Sequence, residues 1–261
     1  AGGGSQHGGA GAFQVSSGWP QGYARLHFES IGSTNDEARR LAAERREGPV
    51  WIYADRQTAG RGRRGRAWES PVGNLSATLL IDPGRPAREC AQLSFVSALA
   101  AHEMVSHYLP LAEVRVKWPN DILANGRKVA GILLESASTG NEPPTWLAIG
   151  VGVNLAHFPP DAEFPATSLA AQGVAAPTSH DAIARLASAF AKWYDIWREQ
   201  GFAPIRDAWL ARVAGLGTRV RARLQNEETS GVFEGIDETG ALLLNEGVGR
   251  TRVIAAGDVF F

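Results

Sequence analysis

Nine residues, GRGRRGRAW at positions 60–68, hold four arginines and three glycines, although the whole chain carries a formal net charge of only −1. A guanidinium is a planar fork that meets a phosphate or carboxylate with two parallel hydrogen bonds, and glycine lets the backbone close around such a group. Arg61 and Arg63 are expected to contact the ligand, Arg63 through phosphate or carboxylate oxygens, whereas Arg64 and Arg66 either fix the loop or stay solvated. Trp68 offers a flat ring, either for core packing or for a nucleobase, whose stacking contributes roughly 1–3 kcal/mol. Four unpaired like charges repel, so the loop is expected to be disordered until an anion arrives. Three further segments carry suitable side chains. In KWPND (117–121), Pro119 ends a strand and leaves Asn120 and Asp121 on a turn, where such residues commonly cap their own backbone. Lys128 opens KVAGILLE (128–135), an otherwise apolar strand, and must lie near the surface or be paired. GVGVN (150–154) ends in Asn154, and its two glycines let a group approach the strand backbone closely.

Two common alternatives for the arginine segment fail on context. Gly60, Gly62 and Gly65 match G-x-G-x-x-G, but the dinucleotide fingerprint requires a helix directly afterwards. Here AWESPVGN follows, with Pro71 and Gly73, and then a strand. No G-x-x-x-x-G-K-[ST] occurs, so this is not a P-loop. His102 and His107 have no partners at metal-ligand spacing, Glu135 reads as structural, and His7 reads as irrelevant to chemistry.

These segments need a scaffold. Strand patterns run over 23–30, 50–57, 74–81, 145–155 and, broken at Pro119 and at Asn125–Gly126, over 113–136. A helix is expected from Thr34, whose capping-box partner is Glu37, to a stop at Gly48 and Pro49. A second covers 87–109, with Leu93, Val96, Leu99, Ala100 and Met104 on one face, and two more cover 179–200 and 203–215. A loop rich in proline and alanine spans 156–178. From residue 217 short β-type runs follow one another at close spacing between glycine turns, the pattern of a small barrel. The organisation is therefore a flexible leader over 1–20, a remnant of either the native chain or an expression tag, a larger domain over 21–215, and a small β-barrel domain over 216–261.

The 261 residues include 26 basic and 27 acidic side chains, 44% hydrophobic and 20% charged positions, which suit a soluble globular protein with no global pull towards DNA or a membrane. The single cysteine, Cys90, excludes an internal disulfide framework and a cysteine-based zinc site, and fits a reducing cytoplasm. No apolar run reaches the ~18 residues of a membrane span, and the first residues lack the charged flank and apolar stretch of a secretory signal.

GRGRRGRAW, VKWPND, KVAGILLE and GVGVN, in this order, with STND upstream and a small β domain at the end, resemble the bacterial biotin protein ligases over residues 23–261. The resemblance implies an α+β fold: a mixed β-sheet catalytic domain with helices packed on it, followed by a small SH3-like barrel. It implies a two-step reaction, in which the biotin carboxylate attacks the α-phosphate of Mg-ATP to give biotinyl-5′-AMP, and a lysine of a biotin carboxyl carrier protein domain then takes the biotinyl group. Two anions meet in the first step, so fixed positive groups must offset their repulsion, and the labile intermediate must be shielded from water. Carried onto this chain, the resemblance gives a biotin site of Ser33, Thr34, Asn35, Gln57, Arg61, Gly62, Arg63, Lys128 and Gly131, with Gly150 and Gly152 completing the slot. Hydroxyl and amide groups there suit the ureido ring, which needs both donors and an acceptor. It gives an ATP site of Arg61, Arg63, Arg64, Trp68, Lys117, Asn120, Asp121 and Asn154, with Asp121 the one Mg²⁺ ligand and Lys128 and Arg63 the catalytic cations. The barrel holds no evident chemistry of its own. Some members carry a DNA-binding domain at the front; barely twenty residues precede the first strand here, so no DNA partner is expected, and the protein is a monomer or a homodimer.

Three rivals are distinguishable. A lipoate or octanoate transferase shares the general scaffold but wants a longer apolar channel. A nucleic-acid module would show a broad basic face and steep salt dependence, against which the near-neutral total charge counts. A ligase retained only as a regulator conflicts with every motif position being filled.

Overall fold

Apolar runs rich in Val, Ile and Leu build the larger part of the molecule as strands of one sheet, covered by helices on one face and in part on the other. The computed structural model describes residues 18–45, 48–137, 142–247 and 249–261; most of the expected leader, His7 included, lies outside them. Strands β1 (Ala24–Phe28), β2 (Val50–Ala54), β3 (Leu75–Ile81), β4 (Val114–Lys117), β5 (Asp121–Ala124), β6 (Arg127–Ser136) and β7 (Leu147–Val153) form one seven-stranded sheet in the order β1-β2-β3-β7-β6-β5-β4. β1 and β2 are parallel, because helix α1 (Thr34–Ala43) carries the chain across between them; the other neighbours are antiparallel. Every position of β2 and β3 is buried.

One sheet face is covered by α3 (Leu93–Tyr108), preceded by the short α2 (Ala87–Cys90), together with α4 (Ser179–Gln200) and α5 (Phe202–Leu210). The expected helix over 87–109 is thus two helices. Alpha-1 covers only one end of the opposite face, packing Ala38 and Leu41 on Val50, Ile52, Leu80 and Ala148. The remainder of that face is where the motif residues converge. Its start differs from expectation: the N-cap is Ser33, extended, with its Oγ accepting from the Asp36 amide at 3.4 Å, so Thr34 is already helical. Its end comes early as well, with Arg45 turning left-handed at φ 55.

The tail forms a five-stranded antiparallel sheet of β8 (Arg219–Arg223), β9 (Glu228–Ile236), β10 (Leu242–Asn245), β11 (Thr251–Ile254) and β12 (Asp258–Phe260), ordered β11-β10-β9-β8-β12. Its apolar side (Val220, Phe233, Leu242, Leu244) joins the main core, and Trp118 Nε1 donates to the Gly240 carbonyl at 3.0 Å across the junction. Beta-12 is too short for alternation to reveal it, and it brings a carboxylate, Asp258, to the arginine loop. No helix among the described residues is long and apolar enough to cross a membrane.

Candidate active site

Strand register lays out the floor of a cleft of about 360 Å³. Asp121 of β5 pairs with Gly131 of β6, Gly131 with Gly152 of β7, and Gly152 with Ser76 of β3, one row across four strands. Two residues along, on the same face, Leu133, Gly150 and Thr78 form a second row. The glycines keep the floor flat. A Cβ on Gly150 would lie 2.5 Å from Asn35 Oδ1, and one on Gly152 only 2.4 Å from the Trp68 ring.

A buried hydrogen-bond network closes one end. Gln57 Oε1 accepts from the Thr34 amide at 2.8 Å and Oγ1 at 3.0 Å, while its amide donates to Ser70 Oγ at 3.0 Å. Thr78 Oγ1 lies 2.8 Å from Thr34 Oγ1 and 2.6 Å from Asn35 Oδ1. Asn35 Nδ2 donates to Glu135 at 2.7 Å, which fixes the orientation of that amide. The Thr34 amide serves Gln57 Oε1 and the two hydroxyl protons serve the remaining oxygens, so the network is satisfied and presents hydroxyl and amide groups that can each donate or accept. It is therefore suited to a ligand that brings both N–H donors and an acceptor. Arg61 stands beside it, bidentate to Asp36 at 2.8 Å and 3.2 Å from Glu135. The hydrogen bond from Arg61 holds the Asp36 carboxyl below the usual range, although partial burial opposes it. Glu135, read as structural, has that part here: it positions Asn35 and Arg61. Thr78 was not singled out in the sequence. Thr78→Val leaves Asn35 Oδ1 and Thr34 without this partner and is expected to lower stability by about 1–3 kcal/mol; an unmoved urea midpoint would contradict the network.

Lys128 owes its position to a β-bulge. The β5–β6 register shifts between Ile122 and Leu123, so that Lys128 opposes Leu123 while Gly131 opposes Asp121. Three residues apart, Lys128 and Gly131 would point to opposite faces of a regular strand; the bulge puts both on the cleft side. The Lys128 amide donates to Pro165 O at 2.8 Å and its carbonyl accepts from Thr167, tying the strand to the proline-rich loop. Lys128 Nζ is 2.6 Å from Asp121 Oδ1, a close ion pair. Lys117 Nζ lies 3.6 Å from the other oxygen of Asp121 and 4.0 Å from the centre of the Phe164 ring. Burial pulls the Lys117 pKa down, against the Asp121 charge.

The arginine loop is ordered, which corrects the expectation of disorder. Arg61 bridges back to Ala67, a 3-10 turn spans Arg63–Gly65, and the charges are met by acids instead of being left to repel. Arg63 donates to the Gly257 carbonyl from both terminal nitrogens at 3.2 Å and to Asn120 Oδ1 at 3.3 Å. Arg64 and Arg66, left between two roles above, reach Asp258 at 3.4 and 2.8 Å. Trp68 lies over Gly131 and Gly152, the floor assigned to biotin's ring system, with Lys128 Nζ 5.5 Å from its ring centre. Gly62, like Ser33, lines the cleft. Asn154 is buried at its edge, donating to Thr167 O at 3.0 Å. Asn74, unremarked in the sequence, accepts from the amides of Leu155, Ala156 and His157 at 3.0–3.1 Å and so fixes the turn after β7. His102 accounts for itself structurally, with Nε2 3.1 Å from the Val114 carbonyl and its pKa lowered by burial.

A mixed sheet with a glycine floor, a basic loop over it and an appended β-sheet defines a class. Residues 27–154 match the biotin/lipoate A/B protein ligase family, and residues 215–261 match the biotin protein ligase C-terminal domain. The chain is 46% identical to the biotin–[acetyl-CoA-carboxylase] ligase of Paracoccus denitrificans, over 88% of this chain and 97% of that protein. It is 37% identical to the corresponding ligase of Mycobacterium tuberculosis, over 87% of this chain and 85% of that protein. It belongs to the biotin protein ligase family. The bifunctional ligase/repressor BirA of Bacillus subtilis is 32% identical, with 72% of its length matched. In fold, the chain resembles the biotin protein ligase of Aquifex aeolicus in complex with biotin and ATP, with a TM-score of 0.77 at 24% identity, covering 91% of this chain and 97% of that one.

Proposed function

We propose that the protein activates biotin with ATP to biotinyl-5′-AMP and transfers the biotinyl group to a lysine of a biotin carboxyl carrier domain. The observation that carries this reading is the polarity of the cleft. One end, at Thr34, Asn35, Gln57 and Thr78, gathers hydroxyl and amide groups that both donate and accept, and so suits a urea, whose two N–H groups donate and whose carbonyl accepts. The other end presents Lys128 and Arg63, with Lys117 buried behind Asp121, and there a carboxylate and a phosphate can meet. A lipoyl dithiolane brings no N–H donors, so the same observation disfavours lipoate.

In this reading, Ser33, Thr34, Asn35 and Gln57 hold the ureido ring, and Arg61 with Gly62 closes the side wall. Lys128 bridges the biotin carboxylate and the α-phosphate, assisted by Arg63. The carboxylate oxygen forms a bond to phosphorus as the bond to the β-phosphate bridging oxygen breaks, and pyrophosphate leaves. The carrier lysine then attacks the acyl carbon as a neutral amine; AMP leaves and the amine loses a proton. Lys117, Asn120, Asp121 and Asn154 face the nucleotide, with Arg64 on its loop side, and Trp68 covers the ring slot over Gly131 and Gly152.

The residues fit a Mg²⁺ that arrives on the nucleotide. Among the described residues no three His, Cys, Asp or Glu stand together as a metal cage, and Mg²⁺ on a nucleotide needs only one or two protein carboxylates. Asp121, the carboxylate that lines the cleft between Lys128 and Lys117, is the residue that would hold it. The ion would add charge neutralisation at the phosphates.

Incubation with biotin, Mg-ATP and a carrier domain is expected to raise the carrier's mass by one biotinyl group. Transfer of lipoate or octanoate, with none of biotin, would refute the assignment.

A further inference from the structure

We propose that Asp258 is a positioning residue for the arginine loop: it holds Arg64 and Arg66 in the folded loop before nucleotide binds and yields them to the polyphosphate of ATP. The inference rests on the reading of the cleft as the ATP site. It adds a carboxylate from the C-terminal sheet that competes with the substrate for the same cations.

Four guanidiniums converge on this one side chain, whose exposure is 9%: Arg66 at 2.8 Å, Arg64 at 3.4 Å, Arg63 at 3.6 Å and Arg223 at 3.7 Å. Only the first of these is a close ion pair. Arg64 donates to Asp258 only at 3.4 Å, while Arg63 is held by the Gly257 carbonyl and Arg223 by Glu163. A second acid, Glu163, lies 2.6 Å from Arg223 and 3.8 Å from Arg66. Four positive groups therefore face two negative ones, and a polyphosphate supplies the missing charge.

The two partners differ in freedom. Asp258 lies on β12, opposite Arg223 of β8 in register, and Phe260 two residues on stacks on Phe164 with ring centres 4.8 Å apart. It stays where the sheet puts it. Arg64 and Arg66 belong to a turn in which Arg64 itself is left-handed, at φ 57, a backbone state that is unfavourable for a residue other than glycine. The ion pairs to Asp258 offset that cost in the nucleotide-free protein. When a phosphate takes over the guanidiniums, the loop is held from the cleft side instead. Burial raises the Asp258 pKa, but the Arg66 hydrogen bond and the surrounding guanidiniums bring it below the usual carboxylate range, so it is an anion at neutral pH.

A purely structural ion pair and a competing one differ in sign. Asp258→Asn keeps the shape and removes the charge; Arg66→Gln breaks the same pair from the other side. Titration of biotin-loaded protein with a non-hydrolysable ATP analogue and Mg²⁺ is expected to show about tenfold tighter binding for Asp258→Asn and about tenfold weaker binding for Arg66→Gln. Trypsin cleavage after residues 61–66 in the ligand-free protein should quicken several-fold in Asp258→Asn, and the analogue should suppress it again. Weaker or unchanged nucleotide binding in Asp258→Asn overturns the inference, as does weakening of the same sign in both variants. Should Asp258→Asn fail to fold, Asp258→Ser is measured in the same way. If the unsubstituted protein binds no analogue, the ATP reading itself fails; if it binds and Asp258→Asn binds no tighter, only this inference fails.

Discussion

Lys128→Ala is expected to slow formation of biotinyl-5′-AMP by about 100- to 1,000-fold, the usual effect of removing one preorganised charge at a developing anion. The size of the effect follows from where the ammonium stands. It is three-quarters buried, 2.6 Å from Asp121, and aimed into the cleft by a bulge instead of by the ordinary alternation of its strand. A cation held this way does not reorganise when a carboxylate and a phosphate approach, so its attraction is available in full at the transition state. Its loss is also poorly compensated. Lys117, the next ammonium, is 3.6 Å from Asp121 and covered by Phe164, and cannot extend to the same point without leaving both. Asp121 keeps Lys117 as a partner, so the variant is expected to fold. The check is single-turnover release of pyrophosphate, with biotin binding measured by calorimetry beside it. A large fall in rate with biotin affinity retained to within about tenfold places Lys128 in the chemical step; a rate within a few-fold of the unsubstituted protein would remove it from the mechanism.

The parts of this site that sequence could disclose were those carried by local chemistry. The α4 boundaries were legible because Thr178 caps its first turn and Gly201 turns left-handed after its last. The β5–β6 hairpin was legible because Asn125 and Gly126 both take positive φ. What stayed hidden depended on register or on long-range pairing. Nothing local announces that Thr78 stands opposite Gly150, or that a bulge turns Lys128 to the cleft face. The loop's order was hidden for the same reason. Four arginines read alone repel one another, whereas the acid that meets Arg66 is 192 residues away on a three-residue strand with no pattern of its own. Conversely, the row of glycines across β6 and β7 was visible in composition, but its flatness matters only because the strands place Gly131 beside Gly152.

Those glycines make the second large expectation: Gly152→Val lowers biotin affinity by at least about 100-fold, or roughly 2.7 kcal/mol. A Cβ at this position lies 2.4 Å from Trp68 Cε2 and 2.5 Å from Nε1, whereas carbon atoms in contact sit about 3.5–4.0 Å apart. The indole must therefore retreat by more than an ångström, and the only room is the cleft itself, along the path from the Thr34–Asn35 network to Lys128. The added methyl groups occupy the floor and the displaced ring occupies the space above it. Valine suits a strand and Gly152 has no positive φ, so the backbone pairing of β7 with β3 and β6 is expected to persist. Overpacking of the free protein, typically about 1–3 kcal/mol, is relieved in part as the indole swings into the open side. Calorimetric titration with biotin, alongside thermal unfolding, separates the two effects. Affinity lost from a protein that still unfolds cooperatively means that the slot over Gly152 is where the vitamin's ring system or its acyl chain passes. Affinity unchanged in the valine variant would mean that biotin binds elsewhere, and that the polar network around Thr34 serves only to cap and anchor α1.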